Sequence, residues 1–188
     1  MSRANQPLYQ GKKVTLTEYE RLAPDGFQYE VIQGIMRMVP APFYEHQNLI
    51  GELYWLLKNF LKNQPIGIVS IAPRDVKFAE NLTYQPDILF ISKERLAINK
   101  RQYVDGAPDF IVEVISKGTL LHDTREKYTV YEQYGVREYW ILNPDNIEIS
   151  EFFFLQAGQY KAIGLEDNII KSQVITGFEL SLNQLENI

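Results

Sequence analysis

Apolar residues recur at Leu49, Ile50, Leu53, Leu57, Phe60 and Leu61, the spacing of one helical face, and predict a helix of roughly 18 residues from about Tyr44. Pro40-Ala41-Pro42 breaks the chain before it and Pro65 closes it. A shorter helix is predicted within Thr15 to Leu22, with Thr17 and Glu20 at capping-box spacing and Pro24-Asp25-Gly26 as its stop. Residues 1–13 show no periodicity and are expected to form a loose arm. A third helix is expected from about Asp123 to Tyr134, with Gly135 where a left-handed helix end favours glycine.

Between these lie runs that read as strands. Phe27 to Ile32 and Ile35 to Val39 flank Gln33-Gly34 as a hairpin, which sets Glu30 on the same face as Ile32. Gly67 to Ala72, Asp75 to Phe78, Pro86 to Ile91, Tyr139 to Leu142, the pair Ile147 to Leu155 and Tyr160 to Ile163, and a closing segment from Val174 to Leu182 follow the same logic. The most apolar run is Phe110-Ile111-Val112-Glu113-Val114-Ile115. A carboxylate set in it costs several kcal/mol unless its charge is compensated. A second acid, Asp87, stands in the apolar run Pro86-Asp87-Ile88-Leu89-Phe90-Ile91. Two acids carried into one sheet suggest a shared cation.

Distance separates the acids that can share an ion from those that cannot. Asp109 lies four residues from Glu113 on one strand, about 13 Å away at the rise of a β-strand, and is read as turn punctuation. Asp87 comes from another strand and lies beside Glu113 if the two strands are neighbours. A hard ion such as Mg²⁺ or Mn²⁺ takes oxygen ligands and keeps several waters, so Asp87, Glu113 and one backbone carbonyl, that of Val114, suffice. Composition narrows the chemistry further. The chain has no cysteine and only two histidines, His46 and His122, which removes disulfides, thiolate catalysis and histidine-rich metal sites. The formal charge of -5 argues against a generally basic nucleic-acid coat. It leaves room for the local cluster Lys93, Arg95, Lys100 and Arg101, read as a solvated face or a contact to a DNA backbone. At 188 residues with 45% hydrophobic content the chain is expected to form one globular domain over 1–188. With no run long enough to span a bilayer, it is expected to be cytoplasmic.

Pro86-Asp87 followed, after an interval of 25 residues, by Glu113-Val114-Ile115 resembles the PD-(D/E)XK nuclease signature, with Ile115 in the place of its lysine. Asp123, Lys127 and Tyr131 fall on one helical face. With Tyr29 to Gly34, His46, Gln85-Pro86-Asp87, Pro108 to Ser116, Gly135 to Trp140 and Gly177-Phe178, this arrangement resembles the Uma-two family of endonucleases. That family is a branch of the same superfamily in which the lysine has moved to this helix. The resemblance implies a restriction-endonuclease-like α/β fold, a central mixed twisted sheet flanked by helices, and metal-dependent cleavage of DNA.

On that basis Asp87 and Glu113 would hold the ion with the Val114 carbonyl. Lys127 would orient the attacking water, with Lys117 in reserve, and Glu30 would be an outer carboxylate of the site. For Lys127 the alternative is an ordinary surface pair with Asp123. Asp123 itself reads as a helix cap rather than a ligand. His46, on the Leu49 and Leu53 stripe, is either a core histidine or a phosphate contact, and Tyr131 is expected to pack. A homodimer would suit cleavage of both strands. The alternatives are a nuclease-like fold without activity that binds nucleic acid or protein, and a metal-dependent phosphoesterase acting on nucleotides or RNA.

Overall fold

The computed structural model describes residues 6–39, 41–115 and 122–185. The longest helix, α2 (Tyr44–Asn63), follows from the apolar stripe, because His46, Leu49, Ile50, Leu53, Leu57 and Leu61 are all buried on one side. Helix α1 (Leu16–Tyr19) is shorter and its cap lies two residues before the predicted one. Thr15, not Thr17, closes the capping box, with Glu18 N donating to Thr15 Oγ1 and Thr15 N to Glu18 Oε2 at 2.7 Å. This segment offers the T-x-x-E spacing twice, and the second acid, Glu20, is paired with Lys77 instead. Helix α3 (His122–Tyr134) ends at Gly135, whose φ of 84° confirms the left-handed stop.

The strands form two larger sheets and one small one. In the first, β2 (Ile35–Val39), β1 (Gln28–Ile32), β5 (Leu82–Tyr84), β4 (Asp75–Ala79) and β7 (Tyr103–Asp105) lie in that order. The β1–β2 hairpin forms as predicted, with Gln33 at φ 52° and Gly34 at φ 75° in the turn. The second sheet runs β11 (Gln159–Ala162), β10 (Glu151–Gln156), β9 (Glu138–Leu142), β8 (Phe110–Val114), β6 (Ile88–Ser92), β3 (Gly67–Ile71). β12 (Ile169–Lys171) and β13 (Glu179–Ser181) pair separately. β5, β7 and β12 escape the pattern reading because three residues are too few to display a period of two. Ile147–Ile149, expected as strand, is a 3₁₀ turn started by Asn146, whose side chain accepts from Glu148 N.

The six-stranded sheet is mixed, with β8 and β9 parallel, joined through α3, and its other neighbours antiparallel. It is the middle layer, so its strands are apolar on both faces. Ile88, Phe90, Phe110, Val112, Val114, Trp140 and Leu142 pack with α2 and the carboxyl-terminal segment. The alternate residues Leu89, Ile91, Ile111, Tyr139 and Ile141 pack with α3 and the five-stranded sheet. Each large side chain so buried contributes about 1.5–3 kcal/mol. The amino-terminal arm is held in its described part: Gly11 N and Val14 N donate to Met36 O and Gly34 O at 2.8 Å, and Tyr9 packs edge-on against Tyr29.

Candidate active site

Strand pairing decides whether the two acids meet. β6 and β8 are antiparallel with Ile88 opposite Val112 and Leu89 opposite Ile111, so one further step places Asp87 opposite Glu113. Odd-numbered residues of both strands face α3 and the five-stranded sheet, and the two carboxylates share that face at one end of the sheet. Val114 N donates to Asp87 Oδ2 at 2.8 Å. Because the N–H and C=O of one strand residue point to the same side, the Val114 carbonyl also lies toward Asp87.

Helix α3 brings Lys127 over this pair. Its Nζ stands 3.1 Å from Glu113 Oε2 and 3.3 Å from Glu30 Oε1, with all three side chains almost wholly buried. One turn later Tyr131, fully buried, donates its hydroxyl to Glu113 Oε1 at 2.6 Å. Tyr131 therefore does more than pack: it fixes the carboxylate. Glu30 reaches the cluster from the other sheet through β1, and Gln85 N donates to it at 3.2 Å. His46 Nε2 lies 3.3 Å from Asp87 Oδ2, and His46 Nδ1 is buried without a hydrogen-bond partner. The histidine thus combines its place on the apolar stripe of α2 with contact to the acid pair.

The Glu113 carboxyl is pushed up to about 8, chiefly by burial and further by Asp87 and Glu30, with the Lys127 ammonium and the Tyr131 hydrogen bond pulling against them. Among the described residues, three acids face one lysine and a histidine. Among the described residues no three His, Asp or Glu side chains form a ready metal-binding set.

The structure thus brings together Glu30, Asp87, Glu113, Lys127, Tyr131 and His46, with the Val114 backbone against Asp87. Asp109 lies apart from them, yet it is not mere punctuation. It is fully buried and accepts from Ser92 N and Arg95 at 2.8 and 2.9 Å, with Arg137 at 3.4 Å. Arg95 is thereby drawn out of the basic cluster, and Lys100 Nζ donates to Ala97 O. Lys117 and the side chain of Asp123 lie outside the described residues. Sequence reading passes over Tyr84, whose ring centroid is 5.6 Å from Lys127 Nζ and whose hydroxyl meets Glu126 at 3.3 Å. The position of Tyr84 three residues before Asp87 is the only signal that could have found it.

The structure is similar to the crystal structure of a putative nuclease belonging to DUF820 from Anabaena variabilis ATCC 29413, with a TM-score of 0.75 and 19% sequence identity over 92% of this chain and 97% of that chain. At that identity the likeness is one of fold, and it agrees with the mixed α/β architecture of a central sheet flanked by helices. A search of curated proteins finds no match. No helix among the described residues is long and apolar enough to cross a membrane. The model of the Uma2 family, described as putative restriction endonuclease, matches residues 16–183, a span that includes the hairpin of Glu30, both acid-bearing strands and the lysine helix, and the chain belongs to that family.

Proposed function

We propose that this protein is a metal-dependent endonuclease that hydrolyses DNA phosphodiester bonds at the cluster of Asp87, Glu113, Lys127 and Glu30. Family membership and the structural likeness support a nuclease in the broad sense. The observation that carries the finer reading is the placement of Lys127 Nζ between Glu30 and Glu113. The PD-(D/E)XK signature wants a lysine two residues after the glutamate, the chain has Ile115 there, and α3 supplies an ammonium to the same carboxylate.

The donor set suits a hard divalent ion. It is made of carboxylates and a backbone carbonyl, and Mg²⁺ or Mn²⁺ needs only one or two protein carboxylates because it retains water. Asp87, Glu113 and the Val114 carbonyl would hold the ion. When bound, it supplies charge stabilisation at the phosphoryl oxygens and a more acidic water. The chain's own groups do the rest. Val114 N–H and His46 fix the Asp87 carboxylate, Tyr131 fixes Glu113, and Glu30 helps to hold Lys127. Lys127 orients the attacking water toward phosphorus, a new P–O bond forms, and the bond to the leaving sugar oxygen breaks in line. Cutting both strands at once would use two copies of the chain, as a homodimer.

A second reading, a nuclease-like fold that binds without cleaving, draws on the absence of a ready three-ligand set among the described residues. Titration with Mn²⁺ separates the two. The enzyme reading expects saturable binding that is lost in Asp87→Ala, together with Mn²⁺-dependent nicking of plasmid DNA that the same variant abolishes. Undiminished metal binding by folded Asp87→Ala rejects the site, and metal binding without nicking favours the binding module.

A further inference from the structure

A cavity of about 390 Å³ opens on the outer face of the five-stranded sheet, beneath α1 and the loop that follows it. Tyr29, Asp75 and Lys77 face it, while their strand neighbours Glu30, Val76 and Phe78 turn inward between the sheets. Its volume falls in the range of sites that take a small organic ligand. Gln85 joins it to the acid cluster: its backbone N–H holds Glu30 at 3.2 Å, and its side chain donates to Asp75 Oδ1 at 2.8 Å.

The lining is specific in what it offers. Tyr9 and Tyr19 direct their hydroxyls to Ala23 O and Tyr29 O, so their half-buried rings remain as the available surface, while Tyr29, bonded to Asp25, is buried behind Tyr9. Lys77 is the one cation among the described lining residues, and it is already committed, paired with Glu20 and 3.4 Å from the Tyr103 ring centroid. What is left unmatched is accepting capacity. Asp75 Oδ2 takes no hydrogen bond among the described residues, and Gln85 Oε1 is buried without a partner. Arg74 secures the Tyr103 wall by donating to Asn99 Oδ1, Arg101 O and Tyr103 O.

Aromatic walls with unmatched acceptors and no available cation suit a flat, uncharged ring that carries N–H donors. They repel a phosphate, because Glu20, Asp25 and Asp75 all line the cavity. We propose that this cavity receives an unstacked nucleobase bearing an exocyclic amino group, held by the tyrosine rings and by Asp75. This rests on the nuclease reading and sharpens it: the substrate is single-stranded or locally unpaired DNA in which cytosine, adenine or guanine, rather than thymine, occupies the pocket. Stacking on aromatic rings and an acceptor aimed at an amino group are the two means by which proteins hold a base outside the helix.

The test is binding without cleavage. Fluorescence anisotropy with labelled oligo-dC, oligo-dA and oligo-dT in EDTA is expected to show dC and dA bound about tenfold more tightly than dT, a difference of roughly 1.4 kcal/mol. Asp75→Asn, which replaces one acceptor oxygen by a donor, brings dC to within about threefold of dT. Tyr103→Leu weakens all three by about tenfold, the effect of removing a stacking surface. Melting curves of both variants establish that they are folded. Equal affinity for the three oligonucleotides in the wild type, or a preference unchanged in both folded variants, overturns the pocket. The nicking assay fails independently: cleavage with no base preference leaves the nuclease and removes the pocket, while base preference without cleavage removes the nuclease and keeps the pocket.

Discussion

At Lys127 an ammonium that is only 12% exposed stands between two carboxylates contributed by different sheets. A surface lysine paired along its own helix would be worth about 0.2–0.5 kcal/mol, and the burial seen here rules out that modest role. In the proposed mechanism its loss removes the group that orients the attacking water. Lys127→Met is therefore expected to reduce Mn²⁺-dependent nicking by about 10²–10⁴-fold, with far-ultraviolet circular dichroism unchanged. Nicking at the wild-type rate would transfer the role elsewhere. Tyr131 and His46 show the same economy of placement, since both belong to apolar helix faces and both end on a carboxylate of the cluster.

Secondary-structure elements are held in register by a few close approaches away from the acid cluster. Gly67 in β3 lies against β6, where a Cβ would collide with Ile91 O and the Phe90 ring. Gly67→Ala is expected to push the edge strand outward and cost about 1–3 kcal/mol in urea unfolding. Asp109 ties the start of β8 to the end of β6 and to Arg95. Burial pushes its carboxyl up, but the Ser92 N–H and Arg95 outweigh this and hold it below the ordinary carboxylate range. The folded state therefore binds that proton less readily than the unfolded state. The resulting stabilisation is present above the ordinary carboxylate pKa and is lost as pH falls through the depressed folded value. Asp109→Ala is expected to lose about 3 kcal/mol at neutral pH, with a difference from wild type that narrows toward acid, measured by urea unfolding across pH. A constant difference would assign the loss to packing instead.

Over the whole molecule the basic cluster divides between structure and surface. Arg95 is committed to Asp109 and Ala107 O, and Lys100 Nζ donates to Ala97 O, while Lys93 and Arg101 are exposed. If these two meet phosphates, Lys93→Ala with Arg101→Ala weakens DNA binding alike for every sequence. It also flattens the slope of log affinity against log salt by about 0.7–0.9 for each phosphate no longer neutralised. An unchanged slope leaves them as a solvated face. Arg95→Ala, by contrast, is expected to act on stability.

Local pattern determined much of this protein. The stripe Leu49 to Leu61 has one buried side whatever lies beyond it, Gln33-Gly34 has the backbone freedom a tight hairpin needs, and Gly135 ends a helix for the same reason. Acids in the two most apolar runs, Asp87 and Glu113, were conspicuous because an uncompensated buried charge is costly in any fold. Tertiary structure decided which compensation they received. The antiparallel register of β6 and β8 put Asp87 opposite Glu113, and the crossing of α3 set Lys127 and Tyr131 on one of them. The five-stranded sheet then delivered Glu30, held by Gln85. None of this is periodic along the chain, because the hydrogen bonds join residues 14 to 55 positions apart, and a charge pattern read in one dimension does not reveal which distant partner will neutralise it. Asp109 marks the same limit from the other side: distance along its strand excluded it from the acid cluster, and only the packed structure showed the arginines that made its burial possible.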